Sequence, residues 1–268
     1  MTDVSGTLLK MKTSLNDDGE AHYNLPLSES LTPMNDLVGK KISLRFNHKI
    51  FDIYDGEPIK KSYGQGYSYK NLITLARCDT CIVKPELCHY DQGTCREPEW
   101  GEKHCMIPHY IYLSITSGVK VGITRHTQLP TRWIDQGAVM AVPFAKVQDR
   151  KTSGLVEIEI AKEMSDKTNW RNMLKGQFEE VDLDLIREQI YDSYGDLLDD
   201  MDAEEVEDDI THIKYPILSL PEKINSLSFD KKDFIEGTLL GIKGQYLIFD
   251  VGVINMRKYQ GYDITISY

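Results

Sequence analysis

Five cysteines fall at Cys78, Cys81, Cys88, Cys95 and Cys105, and none stands elsewhere in the chain. Cys78 and Cys81, two residues apart, form a chelating half-site, and soft thiolates select zinc over hard cations. Two more ligands from Cys88, Cys95 and Cys105 close a tetrahedron, and spacing does not choose between them. Four thiolates leave no open position, so zinc here is structural rather than catalytic. An iron–sulfur cluster is the minority alternative, and buried or free thiols are the plain one. His89, His104 and His109 stand nearby.

A second stretch with chemical content is VKVGITRHTQLPTRWIDQGA, residues 119–138. It places Lys120, Arg125 and Arg132 around one strand and one helix turn in a chain of net charge −11. Residues 179–209 carry fifteen Asp and Glu against one Arg, so the remainder is slightly basic. Distribution decides partner chemistry more than the total does. The acidic run reads first as a solvated face. The basic run, with Tyr110 and Tyr112 beside it, reads as a phosphate-contacting patch. His126 and Arg171 extend that patch or are ordinary surface. Lys243, beside Gln245 and Tyr246, pairs a cation with an aromatic side chain and suits nucleic acid by stacking. Otherwise it belongs to a polar turn.

These groups need elements to hold them. The expected class is α+β, with five segments. Residues 1–72 form a β-rich module, and 73–107 a Cys-rich, loop-rich segment that needs a staple. Residues 108–178 form an α/β domain, 179–212 an acidic helix and linker, and 213–268 a second β-rich module. YIYLSIT and VKVGIT make a hairpin across Ser117-Gly118. Pro130 starts a short helix and Gly137 ends it. AVMAVPFAKV is a third strand, with Pro143 favouring an edge. Ser153 is the candidate cap for a helix over GLVEIEIAKEM, and Asp166 for one over KTNWRNMLK. Leu183, Leu185, Ile186, Ile190, Leu197 and Leu198 supply an apolar stripe to the acidic helix. Its last part, DDMDAEEVEDD, reads as an exposed linker.

No apolar run is long enough to span a membrane, and the N-terminus lacks a signal-peptide pattern, so a cytoplasmic protein without a membrane partner is expected. No Walker loop or dinucleotide fingerprint occurs.

The stretch IYLSITSGVKVGITR resembles the two-strand core of GIY-YIG nucleases. Ile111-Tyr112 matches the end of the first triplet and Lys120-Val121-Gly122 the second. Over Cys78 to Lys175 the chain resembles a bacterial family named domain of unknown function 2797. It does so through CDTCIVKPELC, GTCREPEWGEKHC, HYIYL, KVGITR, PTRWIDQGA and DKTNWR, with GIKGQYLI further on. The nuclease resemblance implies a small antiparallel sheet with flanking helices. It also implies catalytic roles for Tyr112, Arg132 and Glu157 (or Glu159) with Mg²⁺ or Mn²⁺, should the protein be a nuclease. Lys120 replaces the second tyrosine and is a poor water activator at neutral pH. Relatives are further expected to carry upstream thiol half-sites where Asp52, Asp55, Ser68 and Asn71 stand here, so zinc is not expected there.

The leading expectation is a nucleic-acid-binding or regulatory protein without standard nuclease chemistry. The alternatives are a divalent-metal-dependent nuclease and a scaffold whose protein partner docks on the acidic segment.

Overall fold

The computed structural model describes residues 2–164 and 169–268. The class is mixed α+β, with antiparallel sheets throughout. The chain forms two compact units: Met1–Leu72, Ile134–Gly137 and Ile213–Tyr268 in one, Ile73–Trp133 and Ala138–His212 in the other. The first unit opens with β1 (Asp3–Thr7), β2 (Lys12–Leu15), β3 (Ala21–Leu27), β4 (Ser30–Pro33), β5 (Lys41–Phe51) and β6 (Pro58–Ile59), then α1 (Tyr69–Thr74). Next come α2 (Pro98–His104), β7 (His109–Ile115), β8 (Val119–Arg125) and α3 (Thr131–Gln136). β9 (Met140–Val147), α4 (Arg150–Ala161), α5 (Trp170–Leu174), α6 (Leu183–Asp200), β10 (Glu204–Glu205) and β11 (Thr211–His212) follow. The chain returns to the first unit as β12 (Phe234–Lys243), β13 (Tyr246–Phe249), β14 (Gly252–Asn255) and β15 (Tyr262–Ser267).

In the first unit the two β-rich ends of the sequence share one seven-stranded sheet, in the order β1-β15-β5-β12-β13-β14 with β6 on β5. The chain ends meet there: Asp3 faces Ser267, and Thr2 and Tyr268 exchange backbone hydrogen bonds of 2.6 and 3.0 Å. Period-2 alternation turns Ile42, Leu44, Ile235, Leu239, Ile264 and Ile266 inward. β2, β3 and β4 make a separate three-stranded sheet.

The second unit is built on the order β10-β9-β7-β8, with β11 also on β9. Pro143 sits between the segments of β9 that β10 and β11 cover, at an irregularity in the β7 pairing. A residue without an N–H is tolerated at such a gap. The expected linker DDMDAEEVEDD is thus partly drawn into the sheet, as Glu204 and Glu205 pair with Lys146 and Ala145. Helix α6 spends its apolar stripe (Leu183, Ile190, Leu198) on the core of this unit, while Leu185 faces out.

Helix α4 begins three residues before the expected cap. Asp149 takes that role, its carboxylate accepting from Thr152 N at 2.9 Å, because an ionised cap complements the helix N-terminus. Ser153 is buried inside the helix and donates to Arg150 O. Asn169 caps α5, and the expected cap Asp166 lies outside the described residues. Among the described residues no helix is long and apolar enough to cross a membrane.

One close approach fixes the hairpin. A Cβ on Gly122 would lie 2.6 Å from the ring of Tyr112, its cross-strand partner, whose other edge meets Trp133 at 5.9 Å. Gly122→Ala is expected to lower stability by about 2 kcal/mol through overpacking, read from the denaturant midpoint followed by circular dichroism.

Candidate functional site

Residues 75–105 lack the periodicity of long elements and fold as single turns. One-turn 3-10 helices cover Ala76–Cys78, Thr80–Ile82, Pro85–Leu87 and Tyr90–Gln92 before α2. Pro85 and Pro98 start their turns, and Gly93 closes one at φ +69°. None of the five thiols is in a disulfide. Cys81, Cys88, Cys95 and Cys105 line one small cavity of about 10 Å³, walled also by Tyr90 and Trp100. That is room for about one ion or one water. Cys78 is half-buried and outside that lining.

Among the described residues, one set of three ligand atoms lies within 4.8 Å: those of Asp79, Cys81 and His89. The four thiols are therefore spaced more widely than that set. Asp79 also receives Arg96 Nε at 2.8 Å, and His89 Nδ1 bonds Thr94 Oγ1 at 2.8 Å. Burial pushes the Cys81 thiol up to about 11, and Asp79 and the other three cavity thiols add to it. Burial also raises Cys105, where Arg150 opposes the effect of Cys88 and Cys95. These thiols resist ionising together, and a cation among them would relieve that repulsion. His104 is engaged elsewhere: it donates Nδ1–H to Trp100 O at 2.8 Å and stacks on that indole.

The same unit gathers the basic residues of the hairpin. Arg125 pairs with His109 across the strands, and Arg132 lies in the first turn of α3. Arg150, at the first position of α4, joins them. Its charge is disfavoured by burial and by Arg132 and Arg125, and favoured by Cys105 and Glu157. Its backbone N–H donates to Cys105 O at 2.8 Å and its Nη2 to Ile82 O at 2.6 Å. The Nε–H groups of Arg132 and Arg150 are buried with no acceptor among the described residues. The structure thus brings Arg125, Arg132, Glu157 and Cys105 into electrostatic reach of Arg150.

Other expected residues stand differently. Tyr112 is fully buried. Lys120 is half-buried opposite Ser114. His126 is exposed and bonds Pro108 O at 3.2 Å. Glu159 is half-buried and pairs with Lys162. Arg171 lies over the Trp170 ring at 4.4 Å. Lys243 belongs to the first unit and is only 3% exposed, its ammonium 5.3 Å from the Tyr215 ring centre.

Two participants were missed or left unassigned by sequence reasoning. Arg150 becomes visible only once Asp149 is recognised as a cap, because side chains at helix starts point back toward the preceding chain. His109 is buried, and its Nδ1 contacts Ile107 O at 2.7 Å. A carbonyl only accepts, so Nδ1 carries the proton and Nε2 keeps a lone pair. That Nε2 is buried without a partner.

In the first unit, the residues standing at the upstream half-site positions also converge. Asp52, buried, accepts from Tyr54 N (2.7 Å), Ser68 N (2.6 Å) and Asn71 Nδ2 (2.8 Å), and the same amide donates to Asp55 at 2.8 Å. Burial works against the Asp52 charge, but the donors from Ser68, Tyr54 and Asn71 hold its carboxyl below the usual range.

Fold and site together define a two-unit α+β protein with a thiol-lined cavity beside an arginine cluster. The family model described as "Protein of unknown function (DUF2797)" matches residues 39–264, and the chain belongs to that family. No curated protein and no solved structure shows a significant match.

His109 gives this unit a pH dependence. Burial pushes its imidazole down to about 4, and the nearby Arg150 and Arg125 act in the same direction, against the Ile107 carbonyl and Asp149. The folded state therefore holds the ring neutral, while the unfolded chain protonates near the usual 6.5. Its contribution to stability is full above pH 6.5 and is lost as pH falls toward 4, on the order of 3 kcal/mol. Unfolding free energies of wild type and His109→Gln across that window are expected to diverge by this slope.

Proposed function

We propose that this protein binds nucleic acid through its phosphates, at Arg125, Arg132 and Arg150, without cleaving it. The observation that carries this reading is the surplus of donors. Burial and the charges of Arg132 and Arg125 work against the Arg150 guanidinium, and Arg132 and Arg150 each bury an Nε–H that has no acceptor among the described residues. Such donors are costly unless satisfied, and phosphate oxygens are charge-matched acceptors.

The hairpin β7–β8, followed by Arg132 on α3 and Glu157 on α4, supports a GIY-YIG-like core in the order that the sequence resemblance implied. Lys120 in the place of a tyrosine, and Tyr112 sealed against Gly122 and Trp133, argue against water activation there. The electrostatic reach between Glu157 and Arg150 favours, as a second reading, a nuclease using Mg²⁺ or Mn²⁺.

We further infer that Cys81, Cys88, Cys95 and Cys105 hold a structural zinc. Four soft donors line a cavity of about 10 Å³, room for one ion, and drawn in around it they would leave no open position. Bound zinc would neutralise the thiolates and fasten the turns that receive Arg150.

Labelled single-stranded, double-stranded and structured RNA and DNA are titrated from low to physiological salt with Mn²⁺ present, and the products run on a denaturing gel. Binding is expected to weaken steeply with salt. Arg132→Ala should cost about tenfold and reduce the salt slope by about 1, with no product bands. Salt-insensitive binding, or unchanged affinity in Arg132→Ala, overturns the phosphate reading. Product bands lost in Glu157→Ala establish the nuclease.

The metal is tested apart from binding. Metal analysis of the purified protein should find about one zinc per chain, lost in Cys95→Ser and retained in Cys78→Ser. Chelation should lower the melting temperature and expose reactive thiols. Loss of zinc in Cys78→Ser, with retention in Cys95→Ser, would overturn this ligand set.

A further inference from the structure

The first unit commits a buried charge to one stretch of its surface. The Asp52 carboxylate holds Tyr54 N, Ser68 N and the Asn71 amide, and so anchors both ends of the loop between them. Within that loop Tyr63 and Tyr67 exchange backbone hydrogen bonds of 2.8 and 2.9 Å. The tip of this hairpin is Gly64, Gln65 and Gly66, at φ +51°, +69° and +123°. A left-handed glutamine is strained backbone, and it persists only where its surroundings hold it. Here Gln260 Nε2 donates to Gln65 O at 3.0 Å, and Ile53 N to Gly66 O at 2.9 Å.

What this rigid loop displays is aromatic and basic. Tyr69 is 61% exposed and Tyr54 49% exposed. The rings of Tyr69 and the half-buried Tyr63 meet edge to face, with centroids 5.6 Å apart at 63°. The Lys61 ammonium lies 5.1 Å from the centre of the Tyr63 ring. Lys60, Lys61 and Lys70 are all exposed. The acidic residues of residues 54–70 are Asp55 and Glu57, and Asp55 is taken up by the Asn71 amide and Glu57 N.

A single exposed tyrosine on a loose loop needs no explanation. Rings and cations fixed in advance by a buried carboxylate and a strained turn lower the cost of binding a partner. Tyrosine suits a protein partner and a base equally, but lysine is depleted at protein interfaces and matched to phosphate. Aromatic rings flanked by ammonium groups are the pattern that takes bases between phosphates.

We propose that residues 54–70 form a stacking platform for the unpaired bases of a single-stranded nucleic acid. One base lies on the exposed Tyr69 ring, and flanking phosphates meet Lys60 and Lys61. The proposal rests on the nucleic-acid reading for the class of polymer and adds its form, since the bases of a duplex are stacked on one another and offer no free face. It does not rest on the arginine cluster.

The test titrates the full-length protein with labelled oligothymidylate, with an abasic strand of the same length, and with duplex DNA at equal salt. Oligothymidylate is expected to bind tighter than either. Tyr69→Leu should weaken oligothymidylate binding by about tenfold, leave the abasic strand unaffected and leave the denaturant midpoint in place. Tyr69→Trp should retain the affinity. Lys61→Ala should weaken both strands and reduce the single-strand salt slope by about 0.7. Equal affinity of wild type and Tyr69→Leu for oligothymidylate overturns the platform, as does equal binding of the base-bearing and abasic strands by wild type. If Arg132→Ala weakens binding while Tyr69→Leu does not, the platform falls and the arginine reading stands. If Tyr69→Leu weakens binding while Arg132→Ala does not, the reverse holds. Failure to bind any probe overturns both.

Discussion

The contacts of Arg150 with the cysteine-bearing turns are what the candidate site depends on most. Those turns carry few apolar side chains of their own, with Leu75, Ala76, Pro85 and Cys105 the buried ones. They are secured from outside. Arg150 gives its backbone N–H to Cys105 O and its Nη2 to Ile82 O. Four residues along α4, Gly154 lets the helix settle onto Pro85, whose Cβ would stand 2.5 Å from an added methyl. Lys151 reaches Asp91 at 3.0 Å. One helix start thus fastens the turns by backbone acceptors, close approach and charge. Because the same guanidinium lies within reach of Arg125, Arg132 and Glu157, the geometry of the thiol cavity and that of the arginine cluster are fixed by a shared element.

The first unit solves a similar problem without thiols. The loop after β6 is tied to that before it by Asp52, which collects backbone and amide donors from Tyr54, Ser68 and Asn71. Charge-assisted bonds of this kind are stronger than neutral ones, and here they close a turn cluster by hydrogen bonding alone. Asp135 does the same at the end of α3, gathering Lys10, Thr13 and Gln245. Gln245 in turn clamps both backbone groups of Met11, at 3.0 and 3.2 Å. Chain segments more than a hundred residues apart in sequence are held by a few buried polar side chains.

What the sequence revealed follows the range of the interactions involved. The β7–β8 hairpin, the limits of α3 near Pro130 and Gly137 and most of the apolar stripe of α6 are local patterns and read correctly, Leu185 being the stripe residue left exposed. The convergence of Cys81, Cys88, Cys95 and Cys105 was legible as a set of residues. Its geometry was not, because CxxC spacing draws attention to Cys78, which stands outside the cavity lining. Arg150 was hidden because Ser153 looked like the cap, which left Arg150 in the preceding loop rather than in the first turn of the helix. Lys243 was read as surface because Lys-Gly-Gln suggests an exposed turn. The turn is instead buried, Lys243 at 3% and Gln245 at 2% exposure, since both Asp135 and Met11 need the Gln245 amide. Burial imposed by a distant partner leaves no mark on local composition.

The charge balance bears on how a polyanion would be met. The net charge of −11 comes from residues 179–209, and α6 turns its apolar stripe onto its own sheet, leaving acidic side chains outward. Long-range attraction is therefore weak, and beyond about 8 Å at physiological salt it is screened in any case. Affinity for a phosphate must come from short contacts with partly buried guanidinium groups, where the local dielectric is lower and fixed donors need no reorganisation. Such a surface discriminates by geometry. It would hold a phosphate that reaches Arg132 and Arg150 and repel one presented elsewhere along the acidic helix.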